Sequence, residues 1–141
     1  MKLLAYAAAV VVGVAAPLLS ASMRPDDGPR CARDGVEIGN LLTVRVEAAD
    51  DARLSFCSVR CAEDWISRTD AAVARVLVSD EPTGEPLDAG AAFYVRSRVV
   101  TSRATGESVH TFRSREDAEA HVEAFGGMLL ERGERPFRRQ P

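Results

Sequence analysis

Apolar and polar positions alternate along the chain from about residue 41. Between 41 and 47, Leu42, Val44 and Val46 fall on one face, which is typical of a strand with one buried side. A second strand is predicted at 54–57, after a short polar stretch that can form a hairpin loop. The pattern therefore predicts a β-hairpin in this part of the chain.

A helix is predicted directly after the hairpin. Ser58 can cap its N-terminus, and helical spacing up to about Arg68 places Ala62 and Trp65 on one apolar side, where Trp65 is most simply a core residue. A third strand is predicted at 73–78, because a turn rich in acidic residues, proline and glycine follows it.

The second half of the chain shows the same kinds of pattern. Strands are predicted at 93–98 and 109–113. Ser114 can cap a helix over 115–125, which a pair of glycines ends, and a last short strand is predicted at 128–130. The order of elements is thus strand, strand, helix, strand in both halves.

The two helix starts also resemble each other in sequence. The segment FCSVRCAE begins at residue 56 and the segment FRSREDAE at residue 112. We interpret the likeness as duplication of one unit, with chance identity over a short window as the alternative. Under duplication, Arg113 and Asp117 occupy the places of Cys57 and Cys61. The fold itself then does not require sulfur there, and chemistry explains the thiols better than packing does.

The predicted fold class is α+β, with two duplicated strand-strand-helix(-strand) units over residues 31–130 and a frayed polar tail over 131–141. The chain has 141 residues, enough for about one domain. A formal net charge of -3 and an aromatic content of 6% argue against nucleic-acid binding through charge or stacking. The sequence contains no glycine-rich phosphate loop, nucleophile elbow or His-Glu-x-x-His motif, so no enzyme activity is predicted.

The N-terminal segment is typical of an exported protein. Lys2 precedes an uncharged apolar run over 3–19, and small residues follow it, so residues 1–22 are predicted to be a signal peptide or a retained membrane anchor helix. Residues 23–30 are predicted to be a flexible tether. No cysteine directly follows the apolar run, so no lipoprotein acylation site is predicted. The domain at 31–130 is expected to face the periplasm or another extracytoplasmic compartment, free or tethered to the inner membrane.

Three cysteines and one aspartate form a candidate metal site. Cys31 and Asp34 have the spacing of a metal-binding knuckle with Asp in the second ligand place. Cys57 ends a predicted strand, and Cys61 lies in the first turn of a helix, where the helix dipole is expected to lower the pKa of a thiol. Three sulfurs and a carboxylate suit tetrahedral zinc, and the three sulfurs also suit Cu(I).

Two other interpretations of the thiols remain open, a disulfide and inert burial. Cys57 and Cys61 are close enough in sequence to form a disulfide, either structural or redox-active, in an oxidising compartment. Their spacing is one residue longer than a Cys-x-x-Cys pair, which argues against a thioredoxin-type enzyme. His110 and His121 are possible extra ligands, although isolated histidines are more commonly surface or hydrogen-bonded residues.

The order and spacing of several short motifs resemble NosL, the accessory protein of nitrous oxide reductase, and the related treble-clef-like domains called TRASH. The motifs that carry the resemblance are Cys31-x-x-Asp34-Gly35, Phe56-Cys57-Ser58-x-x-Cys61, Val78-Ser79-Asp80, Leu87-Asp88-Ala89-x-x-Ala92, Phe112 and Ser114-Arg115-Glu116-Asp117-Ala118. The resemblance implies two duplicated ββα-type units. It also implies a protein that holds Cu(I) and presents it to a partner, a copper enzyme or a transporter, in the periplasm.

The sequence departs from the NosL pattern at two places. NosL proteins usually carry Cys-Gly-Met in the first motif, where this chain has Asp34-Gly35-Val36, and a later Met-Gly is Thr105-Gly106 here. Both expected thioether ligands are therefore absent. Cys31 and Cys61 are the ligands carried over from the family pattern, and Cys57 and Asp34 are added as local candidates, with Cu(I) or Zn(II) as the expected ion.

Overall fold

The computed structural model describes residues 29–39, 42–103 and 105–138, which form two consecutive units. The first unit contains, in chain order, strands β1 (Val44–Ala48) and β2 (Arg53–Phe56), helix α1 (Val59–Arg68), and strands β3 (Val73–Ser79) and β4 (Pro86–Asp88). The second contains strands β5 (Phe93–Ser97) and β6 (Val109–Phe112), helix α2 (Arg115–Phe125) and strand β7 (Gly127–Leu129).

The two sheets repeat one strand order. The first sheet runs β2-β1-β3-β4 and the second runs β6-β5-β7, and every pair of neighbours is antiparallel. In each unit the second strand lies at one edge of the sheet and pairs with the first strand. The helix then leads from that edge strand to a third strand, which pairs with the other side of the first strand. The mixed strand and helix architecture agrees with the predicted α+β class.

Both helices begin at the predicted serines. The Ser58 hydroxyl accepts a hydrogen bond from the Cys61 backbone N–H at 3.2 Å, and the Ser114 hydroxyl accepts one from the Asp117 N–H at 3.0 Å. Such caps satisfy backbone donors that the first helical turn leaves unpaired, and each contributes about 1 kcal/mol. Ser58 therefore also fixes the backbone position of Cys61.

The main hydrophobic core lies between the first sheet, α1 and β5. Val44 and Val46 are buried on one face of β1, as their alternation predicts, and Ala62 of α1 is fully buried. Trp65 packs against this core from the side, with its ring centroid 5.7 Å from that of Phe56. A smaller cluster in the second unit consists of Val95, Phe112 and Ala118.

Several element ends differ from the sequence prediction. Ala48 belongs to β1 and not to the loop, and Cys57 follows β2 instead of closing it. Strand β4 was not predicted, because it has only three residues and starts with Pro86, which cannot donate a ladder hydrogen bond. It exists because Leu87 pairs with Val78 of β3.

The C-terminal segment is not the frayed tail that its polar composition predicts, at least as far as residue 138. Phe137 packs against the main core, and its backbone N–H donates to the Glu63 carboxylate at 3.1 Å. The Arg135 guanidinium lies over the Phe93 ring, 5.3 Å from its centroid. One aromatic residue in a charged segment is a weak sequence signal, and tertiary packing decides its position.

At the other end, Pro29 and Arg30 were assigned to the flexible tether but are part of the domain. The Pro29 carbonyl accepts a hydrogen bond from the Ile38 N–H at 2.8 Å, and the backbones of Arg30 and Glu37 form an isolated antiparallel β-bridge. The predicted signal or anchor at 1–22 and most of the tether lie outside the described residues. Within the described part of the chain, no helix has the length and apolarity needed to cross a membrane.

Candidate metal centre

The first part of the centre is a tight turn that carries Cys31 and Asp34. The Gly35 N–H donates to the Cys31 carbonyl and the Cys31 N–H donates to the Val36 carbonyl, both at 2.8 Å. Gly35 has a φ of 73°, a left-handed conformation that a side chain would strain. The Val36 N–H also donates to Asp34 Oδ1 at 3.1 Å, which orients the carboxylate. The Cys31–Val36 segment is called the knuckle below.

A backbone hydrogen bond attaches the knuckle to the first sheet. The Ala32 N–H donates to the Ser55 carbonyl of β2 at 2.8 Å. This contact places the knuckle beside the end of β2, two residues before Cys57. The chain thereby brings a cysteine from before the sheet against the two cysteines that flank the start of α1.

The structure brings all four side chains of the sequence-predicted site together. The Sγ atoms of Cys57 and Cys61 are 3.7 Å apart. The Asp34 Oδ2 atom lies 3.3 Å from Cys61 Sγ and 3.8 Å from Cys57 Sγ. With Cys31 included, the four potential ligand atoms all lie within 4.8 Å of one another.

These separations match those around one shared ion. Two sulfurs about 2.3 Å from a tetrahedral metal are about 3.8 Å apart, and a sulfur and a carboxylate oxygen are about 3.5 Å apart. A disulfide requires its sulfurs about 2.05 Å apart, so Cys57 and Cys61 are two free thiols in this geometry. The arrangement can hold a cation without large movement of the backbone.

Burial is the largest influence on the pKa values of Cys57 and Cys61, the two thiols at the start of α1. It is the main cause that raises the pKa of Cys57 to about 12, and hydrogen bonds with Cys61 and Cys31 add to it. Burial also raises the pKa of Cys61, more than the hydrogen bond from Ser58 lowers it. The helix position of Cys61 therefore does not leave its thiol with a lowered pKa in the metal-free site, contrary to the expectation from the sequence.

Asp34 is the permanent anion of the centre. Burial alone would raise its pKa, but hydrogen bonds from Cys31, the Val36 N–H and Cys61 outweigh burial and lower it. At neutral pH the metal-free centre thus contains a carboxylate that accepts hydrogen bonds from the protonated thiols of Cys57 and Cys61. A bound cation would replace those thiol protons.

We expect Cys57 and Cys61 of the metal-free protein to react slowly with iodoacetamide. Because the pKa of Cys57 is raised, its thiolate fraction at pH 7.5 is small, and alkylation should be at least about 100-fold slower than that of a free cysteine derivative. The rate should rise with pH up to pH 9 and beyond. Mass-spectrometric counting of alkylated residues measures it, with urea-unfolded protein as the control. Alkylation as fast as in urea would contradict the burial argument.

An open groove of about 1400 Å³ borders the centre, and Cys61 and Asp34 form part of its wall. Its rim carries charges of both signs, including the linked ion pairs that Arg33 and Arg68 make with Asp64. The groove is an opening through which a second protein could reach the thiol of Cys61.

The two positions where the family pattern has methionine also lie on this groove. Val36 and Thr105 both line it, together with Cys61 and Asp34. The Thr105 hydroxyl is buried without a hydrogen-bond partner among the described residues. The structure therefore places both departures from the NosL pattern on the groove that borders the candidate metal centre, and neither residue supplies thioether sulfur to it.

His110 and His121 do not extend the sulfur site. The two histidines lie in the second unit and form a separate cluster with Glu81 among the described side chains. Sequence reasoning considered each histidine alone and did not single out Glu81. The histidines have no common motif, and Glu81 reaches them from the turn between β3 and β4, far away along the chain.

Comparisons with known proteins agree with the resemblance seen in the sequence. The family model of NosL matches residues 26–136. The crystal structure of the copper chaperone NosL from Shewanella denitrificans is similar to this fold with a TM-score of 0.65 and 23% sequence identity, covering 81% of this chain and 94% of that chain. No curated protein matches this chain.

Proposed function

This chain belongs to the NosL family, and we propose that it is an extracytoplasmic carrier that binds Cu(I) through Cys31, Cys57 and Cys61 and transfers it to a protein partner. The observation that carries the proposal is the convergence of three thiols and the Asp34 carboxylate within 4.8 Å beside an open groove. The family assignment also supports the prediction that the chain is not an enzyme.

The donor set favours Cu(I) over harder cations. Thiolates are soft ligands, and three of them satisfy the low coordination number of Cu(I). The similar solved structure is that of a copper chaperone, which supports copper as the ion. Asp34 would then contribute charge and hydrogen bonding more than a strong bond. Zn(II) is the second candidate, because the four donors together make a tetrahedral S₃O set.

Transfer to a partner is supported by where the thiols lie. Cys31 and Cys61 are buried, whereas Cys57 is half-buried, and the Cys61 side of the centre forms part of the groove wall. A partner that docks in the groove could offer its own ligand and take the ion by stepwise exchange. We propose that the partner is a copper enzyme or a transporter in the periplasm, with the segment before the domain providing export or a membrane tether.

The test of this function is metal binding by anaerobically purified, tag-free protein. We expect one equivalent of Cu(I) to bind per chain. On binding, the number of free thiols counted by thiol–disulfide exchange should fall by three. Competition against a chromophoric Cu(I) chelator gives the affinity, and the same titration with Zn(II) gives the preference. Two oxidised cysteines and no metal uptake would instead support a disulfide-containing interaction module, and the proposed function would fail.

A further inference from the structure

A second cluster of potential ligands, separate from the sulfur site, joins the two units. Glu81 lies in the turn after β3, His110 on β6 and His121 on α2. One ligand atom from each of the three residues lies within 4.8 Å of the other two. The Glu81 backbone N–H donates to the Thr111 carbonyl at 2.9 Å, which holds the turn against β6.

The cluster is buried on the histidine side and reaches solvent on the carboxylate side. His110 is 3% exposed and His121 is 7% exposed, whereas 28% of the Glu81 side chain is exposed. Nδ1 of His110 contacts one carboxylate oxygen of Glu81, and Nδ1 of His121 lies 3.6 Å from the other. The ring centroids of the two histidines are 4.3 Å apart. A small cation could enter past the carboxylate.

Hydrogen bonds behind the rings hold both histidines in place. Nε2 of His110 lies 3.0 Å from the Val99 carbonyl, which can only accept, so this nitrogen carries a hydrogen. Nε2 of His121 lies 2.9 Å from the Ser97 hydroxyl, which also accepts from the Val99 N–H at 3.1 Å and lies 3.4 Å from the Gly126 carbonyl. Both Nε2 atoms are thus engaged behind the rings, and both Nδ1 atoms lie on the side of Glu81.

The consequence is that both Nδ1 atoms face the Glu81 carboxylate. Burial lowers the pKa of His110, but its hydrogen bonds with Glu81 and the Val99 carbonyl raise it overall, so a proton lies between His110 and Glu81 in the metal-free cluster. A cation that binds between the carboxylate and the rings can take the place of that proton. Histidines that bind metals through one nitrogen commonly donate the other N–H to a carbonyl, as His110 does to Val99.

Comparison of the two units shows that the fold does not need histidine at either place. In the aligned repeat, Leu54 corresponds to His110 and Trp65 corresponds to His121. Both first-unit residues are apolar and pack against the main core. The ring contact is kept: Phe56 and Trp65 have centroids 5.7 Å apart, and Phe112 and His121 have centroids 5.2 Å apart. The histidines, like the thiols, are thus an addition to the unit.

We propose that Glu81, His110 and His121 form a second metal site that takes a borderline divalent cation, with Zn²⁺ as the best-fitting ion. Two imidazole nitrogens and a carboxylate oxygen suit Zn²⁺, and water can complete the tetrahedron. Cu(I) is not expected there because the site has no sulfur. The ion links the end of the first sheet to a strand and a helix of the second unit, so it is a structural lock between them.

The test uses the tag-free full chain in a Cys61→Ser background, which weakens the sulfur site. We expect one equivalent of Zn²⁺ to bind and to raise Tm, and Co²⁺ at the same site to show no thiolate charge-transfer band. His121→Phe keeps an apolar ring like its first-unit counterpart, and Glu81→Gln keeps the shape of the carboxylate. Each should weaken Zn²⁺ binding at least 100-fold while the circular dichroism spectrum stays native.

Two results would overturn the second site. One is Zn²⁺ binding that is equally strong with and without Glu81→Gln or His121→Phe. The other is loss of all Zn²⁺ binding in the Cys61→Ser background, which would assign the ion to the sulfur site. Cu(I) affinity of the His121→Phe chain with its cysteines intact should equal that of the unaltered protein, so this proposal and the copper proposal fail separately.

Discussion

Cys61→Ser is expected to lower the Cu(I) affinity of the protein by about 100-fold or more. The substitution removes one of three soft donors, whose Sγ atom lies 3.3 Å from Asp34 Oδ2. Serine has nearly the same shape, and the Ser58 cap bonds to the backbone N–H of residue 61 and not to its side chain, so α1 should still form. Anaerobic competition with a chromophoric Cu(I) chelator measures the change.

The matched control for this experiment comes from the second unit. Arg113 occupies the place that Cys57 has in the first unit, and its side chain is exposed. Arg113→Ser should leave Cu(I) affinity unchanged, whereas Cys57→Ser and Cys31→Ser should weaken it. A Cys61→Ser protein that binds Cu(I) as tightly as the unaltered chain would show that the three sulfurs do not share one ion.

Gly127→Ala is expected to destabilise the protein by more than about 3 kcal/mol. A Cβ atom at this position would lie 2.3 Å from the Arg96 carbonyl oxygen, closer than any real contact, and the residue has a φ of 119°. The clash cannot be relieved by a side-chain rotation because the obstacle is the backbone of β5. Separation of β7 from β5 would also release the C-terminal end of α2. Urea unfolding followed by circular dichroism measures the loss.

Gly133→Ala is the control for Gly127→Ala. A Cβ at Gly133 meets no atom within 4 Å, and its backbone is not left-handed. We expect its free energy of unfolding to change by less than about 0.5 kcal/mol. Equal effects of the two substitutions would mean that the close approach of β7 to β5 does not determine stability.

The parts of the fold that local signals determine were predictable from the sequence. Ser58 and Ser114 each stand directly before a helix, and the alternation of Val44 and Val46 sets the buried face of β1. These signals depend on neighbouring residues only. Strand β4 and the packing of Phe137 depend on contacts with distant segments, so no local pattern indicates them.

The candidate sulfur site was predictable because its residues form recognisable spacings. Cys31 and Asp34 share a turn, and Cys57 and Cys61 flank a helix start. The pKa shift of Cys61 was not predictable, since it is caused mainly by burial in the surrounding fold, which no local spacing indicates. Glu81 was missed for a related reason. It meets His110 across 29 residues of chain, and only the three-dimensional structure brings them together.

The hydrogen bond from Ala32 to Ser55 has a consequence beyond metal binding. Strand β2 lies at the border of the first sheet, and the unpaired backbone of such a strand is a template for pairing with another molecule. The turn that supplies Cys31 covers part of that border. Damage to this turn should therefore promote aggregation as well as loss of the proposed metal ligand Cys31. The proposed ligand and the protection against self-association thus lie in one short segment of chain.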